Sequence, residues 1–98
     1  MKIWLDDCRT PPEGWEWAKT AQEAVTLLEA GNVEEISLDH DLGEILSGYD
    51  VACWIERAVF EKRIRLPIWH VHSANPVGKA RIASALKRCS DANDSMFL

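Results

Sequence analysis

The sequence predicts one α/β domain, residues 1–98, built on a short parallel β-sheet. Three observations predict it: short apolar runs that end in acidic residues, longer segments with helical periodicity, and the alternation of the two. Strands that alternate with helices favour a parallel sheet joined by right-handed crossovers. A chain of 98 residues is near the lower size at which a single hydrophobic core suffices.

The composition excludes several functional classes. With 47% hydrophobic and 28% charged residues, the chain is typical of folded globular proteins rather than disordered ones. A net charge of −5 argues against nucleic-acid binding. No apolar run resembles a signal peptide or membrane span, so we expect no membrane association. Cys8, Cys53 and Cys89 form no CxxC pair, and we expect reduced, mostly buried thiols and a cytoplasmic location.

The first half of the chain predicts three strands and one helix. Residues 2–6 and 35–39 are apolar runs typical of short buried strands, and residues 15–18 are a candidate strand between them. Two prolines and a glycine exclude a regular helix from residues 10–14. A helix is predicted over residues 21–30, opened by a Thr-x-x-Glu capping box and closed by a glycine.

The second half predicts two helices and one strand. The first helix covers residues 49–62, where apolar residues recur at helical spacing, and a loop over residues 42–48 precedes it. A strand follows over residues 68–73. Asn75 is expected to cap a final helix with a proline at its first position, and residues 90–98 to form a frayed tail.

Acidic residues follow two of the predicted strands. Asp6 and Asp7 end the first strand, and Asp39 and Asp41 end the third. Parallel strands bring their carboxyl ends to one edge of the sheet, so these acids should lie together. Clustered carboxylates repel one another unless a cation lies among them. We therefore predict that Asp6, Asp7 and Asp39 bind Mg²⁺ or Mn²⁺; the alternative is that they only cap strand ends in solvent.

Three motifs follow one another along the chain: the acid pair Asp6-Asp7, the aspartate Asp39 with a Gly48-Tyr49-Asp50-Val51 helix start, and the pair Ser73-Ala74. In this order they resemble the receiver domain of two-component response regulators. The chain is more closely similar to the compact cyclic-phosphate-processing receiver variant over residues 3–88. The motifs that carry this closer resemblance are Trp4-Leu5-Asp6-Asp7-x-Arg9-x-Pro11-Pro12, Ser37-Leu38-Asp39-His40-Asp41-Leu42-Gly43 and His72-Ser73-Ala74-Asn75-Pro76-Val77-Gly78.

The resemblance implies a truncated flavodoxin-like, receiver-like fold. We expect three layers, with four parallel strands in the order 2-1-3-4 and helices on both faces. It also implies that Asp39 is the phosphoacceptor and that Ser73 lies beside it. The chain has no room for the fifth strand and its phosphate-contacting lysine, so Arg9 or Lys79 is a candidate substitute. Asn75, at the start of the last helix, is a further candidate phosphate contact.

The leading interpretation is a receiver-like, metal-dependent, phosphate-handling signalling module that accepts a phosphoryl group from a kinase or a small phosphate ligand. One alternative is a small metal-dependent phosphoesterase, in which His72 and Asp41 activate water against a cyclic or nucleotide phosphate. Another is a degenerate receiver that only binds a protein partner. His40 and His70 are weaker site candidates, because strand histidines are more often structural.

The fourth strand should form an exposed sheet edge. Residues 68–72 would then leave unpaired backbone groups and apolar side chains. We expect either the tail Met96-Phe97-Leu98 or a second copy of the chain, in a homodimer, to cover them.

Overall fold

The computed structural model describes residues 1–95. The chain forms four strands and three helices; the first two strands follow one another directly, and from the second strand onward strands and helices alternate as predicted. They are β1 (Lys2–Leu5), β2 (Glu16–Ala18), α1 (Ala21–Ala30), β3 (Glu35–Leu38), α2 (Gly48–Phe60), β4 (Ile68–Val71) and α3 (Pro76–Ser95). α3 continues to Ser95, so the last helix extends into the segment for which a frayed tail is expected. Met96-Phe97-Leu98 lies outside the described residues.

The strands form one parallel sheet in the order β2-β1-β3-β4, which confirms the predicted topology. The register places Ile3 opposite Ile36 and Leu5 opposite Leu38, and all four side chains are fully buried. The same register brings the ends of β1 and β3 together, where the backbone N–H of Asp39 donates to the carbonyl of Leu5 (2.9 Å). The acidic residues that follow these strands are therefore neighbours at one edge of the sheet.

All three helices pack on one face of the sheet. The buried strand side chains of that face share one apolar core with α1, α2 and α3, and α2 contacts both other helices. The alternate strand residues face the opposite side, which carries Lys2, Trp4, Glu35, Ser37 and His70. The fold therefore has two layers, and the expectation of three layers with helices on both faces is corrected.

The connections explain the missing layer. The two strand–helix–strand crossovers, through α1 and α2, step across the sheet in the same direction, so their right-handedness places both helices on one face. The step from β1 to β2 runs in the opposite direction and would place a helix on the other face. That step is a loop, residues 6–15, which contains two prolines and a glycine.

The open face is aromatic and partly exposed. Trp4 stacks on the ring of His72 (centroids 3.8 Å apart, planes 5° apart) and meets Trp15 edge-on at 6.1 Å. Ile68, on the edge strand β4, is 64% exposed. Within residues 1–95, no helix is long and apolar enough to cross a membrane.

The three thiols are free, as expected for reduced cysteines, but only Cys89 is buried. Cys8 is exposed and Cys53 is half-buried. The expectation of mostly buried thiols is therefore wrong, because Cys8 lies in the loop that replaces a helix after β1.

Candidate metal and phosphate site

The carboxylates of Asp6, Asp7 and Asp39 converge at the carboxyl edge of the sheet. One oxygen from each lies within 4.8 Å of the other two. The backbone fixes two of these residues, because the N–H of Asp6 donates to Ala18 on β2 (3.0 Å) and that of Asp39 donates to Leu5 on β1. The sequence-based grouping of these three acids is thus reproduced by the geometry. Three oxygen donors at this separation suit a hard divalent cation.

Asp6 is a buried carboxylate whose oxygens already have protein partners. Its side chain is 1% exposed, and Oδ1 accepts the backbone N–H groups of Cys8 and Arg9, both at 2.8 Å. Oδ2 accepts from Nε2 of His72 (3.1 Å) and lies 3.9 Å from the Arg9 guanidinium. Burial raises the pKa of Asp6, but these hydrogen bonds outweigh it and leave the pKa below its usual value. Asp6 is therefore ionised at neutral pH.

The carboxylates of Asp7 and Asp39 have fewer hydrogen-bond and ion-pair partners in the described chain than that of Asp6. Asp39 is 8% exposed, and its Oδ1 accepts the N–H of His40 (2.8 Å). Among residues 1–95, no lysine or arginine forms an ion pair with Asp7 or Asp39. The negative charge of Asp7 raises the pKa of the neighbouring Cys8 thiol. Two uncompensated carboxylates beside an ionised third fit a bound Mg²⁺ or Mn²⁺, which Asp7 and Asp39 would hold directly.

The start of α2 packs directly against the backbone of Asp39. The N–H of Gly48 donates to the carbonyl of His40 (2.9 Å), and a Cβ at Gly48 would lie 1.9 Å from the carbonyl oxygen of Asp39. Ser47 and Asp50 form a capping box at this helix end. Glycine is the one residue that permits this approach, so α2 fixes the position of Asp39.

His72 has hydrogen-bond partners at both ring nitrogens. Its Nδ1 lies 2.7 Å from the hydroxyl of Ser37, its Nε2 faces Asp6, and its carbonyl accepts from Arg9 (3.2 Å). Burial lowers the pKa of His72 despite the nearby carboxylate of Asp6. The neutral ring therefore donates from Nε2 to Asp6 and accepts at Nδ1 from Ser37. The sequence analysis missed Ser37; the available signal was a serine between two apolar residues in a buried strand.

A second polar group joins the loop after β3 to the start of α3. Asn75 caps α3 by accepting the N–H of Gly78 at 3.0 Å, and its amide nitrogen lies 3.4 Å from Asp41. His40 pairs with Asp41 (2.8 Å) and lowers the pKa of that carboxyl. Asp41 therefore belongs to this second group and not to the three-carboxylate cluster. The hydroxyl of Ser73 accepts the N–H of Asn75 (3.1 Å).

Of the remaining candidate residues, one lies beside the acidic cluster and two lie away from it. Arg9 lies beside the acidic cluster through its contacts with Asp6 and His72. Lys79 is exposed in the first turn of α3 and, within the described chain, pairs with none of the site acids. His70 bonds to Glu35 (2.6 Å) on the open face, away from the carboxylates. Of the two cations expected to replace the missing lysine, Arg9 is the one at the site.

Comparison with known proteins identifies the family. The sequence profile described as the cyclic-phosphate processing receiver domain matches residues 1–88, which contain all seven elements except the end of α3. Neither the curated proteins nor the solved structures gave a match. The matched segment contains every residue of the acidic cluster, Ser73 and the Gly48 helix start. The chain therefore belongs to the cyclic-phosphate processing receiver domain family.

Proposed function

We propose that this domain accepts a phosphoryl group on Asp39 with the help of a divalent cation and acts as a signalling module. One observation carries the proposal: three carboxylates converge within 4.8 Å, and within residues 1–95 only Asp6 among them has protein partners for both oxygens. Asp7 and Asp39 remain available for a cation, and Asp39 is also available as a nucleophile.

The surroundings of Asp39 support its role as the acceptor. Its Oδ1 is held by the N–H of His40, so the other oxygen is free to attack the phosphorus atom of a donor. A bond forms between that oxygen and phosphorus, while the bond to the leaving group breaks and the leaving group keeps the electron pair. A bound cation would neutralise the negative charge on the phosphoryl oxygens.

Arg9 and Ser73 complete the proposed phosphate contacts. The guanidinium of Arg9 lies 3.9 Å from the carboxylate of Asp6. It would supply the positive charge that a fifth strand and its lysine would otherwise provide. The hydroxyl of Ser73 follows β4 at the same sheet edge and has its own hydrogen available to donate. Asn75 is committed to capping α3 and is a weaker candidate contact.

A phosphoesterase acting on cyclic phosphates is the second candidate, because the matched family is described by cyclic-phosphate processing. The geometry limits the choice of general base. His72 uses both ring nitrogens within the protein, whereas Asp41 is 67% exposed and reaches solvent. In this alternative, Asp41 rather than His72 would take the proton from water.

Intact-mass measurement after incubation with acetyl phosphate and Mg²⁺ tests the leading proposal. The wild type should gain the mass of one phosphoryl group, and Asp39→Asn should gain none. Asp41→Asn is the matched control, since it removes a neighbouring carboxylate outside the cluster and should still be labelled. Labelling that persists in Asp39→Asn would refute the assigned acceptor. Repeated turnover of cyclic nucleotides that is lost in Asp41→Asn would favour the phosphoesterase instead.

A further inference from the structure

A chain of hydrogen bonds joins the centre of the sheet to the acidic cluster. It runs from the hydroxyl of Ser37 to Nδ1 of His72 (2.7 Å) and from Nε2 of His72 to Oδ2 of Asp6 (3.1 Å). Ser37 lies in the middle of β3, opposite Trp4 of β1. Ser37 in β3 and His72 just after β4 thus form a line that ends on the carboxylate of Asp6, just after β1, at the proposed cation site.

The ring of His72 is fixed by stacking on one face and by a hydrogen bond at each nitrogen. Trp4 stacks against its face at 3.8 Å, its backbone N–H donates to Leu38 (3.0 Å), and its side chain is 14% exposed. A ring fixed by stacking and by two hydrogen bonds has one orientation. The Nε2–H group therefore points at Asp6.

Asp6 depends on this donor. The backbone N–H groups of Cys8 and Arg9 fix Oδ1, and the His72 ring fixes Oδ2, with the Arg9 guanidinium more distant at 3.9 Å. A buried carboxylate that loses one such partner must turn, take up a proton or admit water. Any of these changes alters the charge or position of one of the three converging carboxylates.

We infer that His72 is a positioning residue that holds the Asp6 carboxylate in place beside Asp7 and Asp39, the proposed ligands of the cation, while the Ser37 hydroxyl holds the ring at its other nitrogen. The inference rests on the proposed cation site and assigns to His72 a role other than proton transfer. Hydrogen-bonding groups outside the coordination shell of a metal typically change its affinity about 10- to 100-fold when they are removed. We expect a loss in that range for His72, and a smaller loss for Ser37, which acts only through the ring.

Calorimetric titration of the metal-free protein with Mn²⁺ or Mg²⁺ alone tests the inference without any phosphate donor. His72→Phe keeps a ring against Trp4 but removes both hydrogen bonds, and should bind the cation about 10-fold or more weakly than the wild type. His72→Gln can both donate and accept, and should recover part of the affinity. His70→Phe, two residues earlier in the chain and on the same sheet face, is the matched control and should bind as the wild type does. Ser37→Ala provides a second route if His72→Phe fails to fold.

The outcomes separate the two proposals. Absence of cation binding by the wild type would contradict the proposed cation site itself. Binding by the wild type, with unchanged affinity in folded His72→Phe and Ser37→Ala, would overturn only the positioning role. Affinity of His72→Gln no better than that of His72→Phe would also overturn it, because packing alone would then explain the loss.

Discussion

Replacing Gly48 by alanine should destabilise the domain and disturb Asp39 together. The added Cβ would lie 1.9 Å from the carbonyl oxygen of Asp39 and 3.1 Å from Cδ1 of Ile82. Close carbon–oxygen contacts are about 3.3 Å, so the start of α2 and the Asp39 carbonyl must separate by about 1.4 Å. Overpacking of this kind costs about 3 kcal/mol, and the better helix propensity of alanine offsets up to about 1 kcal/mol. The net loss is about 2 kcal/mol, or about 8–16 °C in Tm.

Urea denaturation of the wild type, Gly48→Ala and Gly78→Ala measures this effect. Gly78 is the matched comparison, because its added Cβ would meet the ring of His40 at 2.3 Å rather than a backbone carbonyl. The His40 ring can move by rotation about its Cα–Cβ bond, at the cost of its contact with Asp41, whereas the Asp39 carbonyl belongs to the backbone directly after β3. Gly48→Ala should therefore be the less stable variant and should also bind Mg²⁺ more weakly. Wild-type stability in Gly48→Ala, or a larger loss in Gly78→Ala, would refute the reasoning.

Three further predictions concern pH, the cation and a helix cap. Burial lowers the pKa of His72, so a proton binds this side chain more readily in the unfolded chain than in the folded one. The free energy of unfolding of the metal-free protein should therefore fall as the pH drops below 6.5. Denaturant titrations of His72→Phe should lose this contribution to the pH dependence. Mg²⁺ should raise the wild-type Tm by mass action but leave Asp7→Asn unchanged in thermal scans; an equal rise in both would contradict the assignment of Asp7. Ser47→Ala removes the side-chain cap of α2 and should cost about 1 kcal/mol in urea titrations, whereas Ser84→Ala, in the middle of α3, should cost less.

The elements of the fold could be predicted because their signals are local. Capping residues, helical periodicity and apolar runs lie within a few positions of one another, as at Thr20, Gly31 and Asn75. The number of layers could not be predicted in the same way. It depends on which sheet face each crossover covers, and the loop after β1 leaves one face without a helix.

The acidic cluster could be predicted because parallel strands bring their carboxyl ends to one sheet edge, and the pairing of Leu5 with Leu38 then makes Asp6 and Asp39 neighbours. The hydrogen bonds of His72 could not. They join residues 35 and 66 positions apart in the chain and depend on the register of β4. Strand alternation puts residues two apart, such as His70 and His72, on one face, but only the structure separates His70, bound to Glu35, from His72, bound to Asp6.

The central claim is that Asp39 accepts a phosphoryl group beside a cation held by the acidic cluster. A crystal structure of the protein with Mg²⁺ and beryllofluoride, a mimic of the phosphoryl group, tests it most directly. We predict density for the beryllofluoride on the carboxylate of Asp39, with Mg²⁺ bound by Asp7 and Asp39. Mg²⁺ at the cluster with beryllofluoride absent from Asp39, or beryllofluoride bonded to Asp41 instead, would contradict the account.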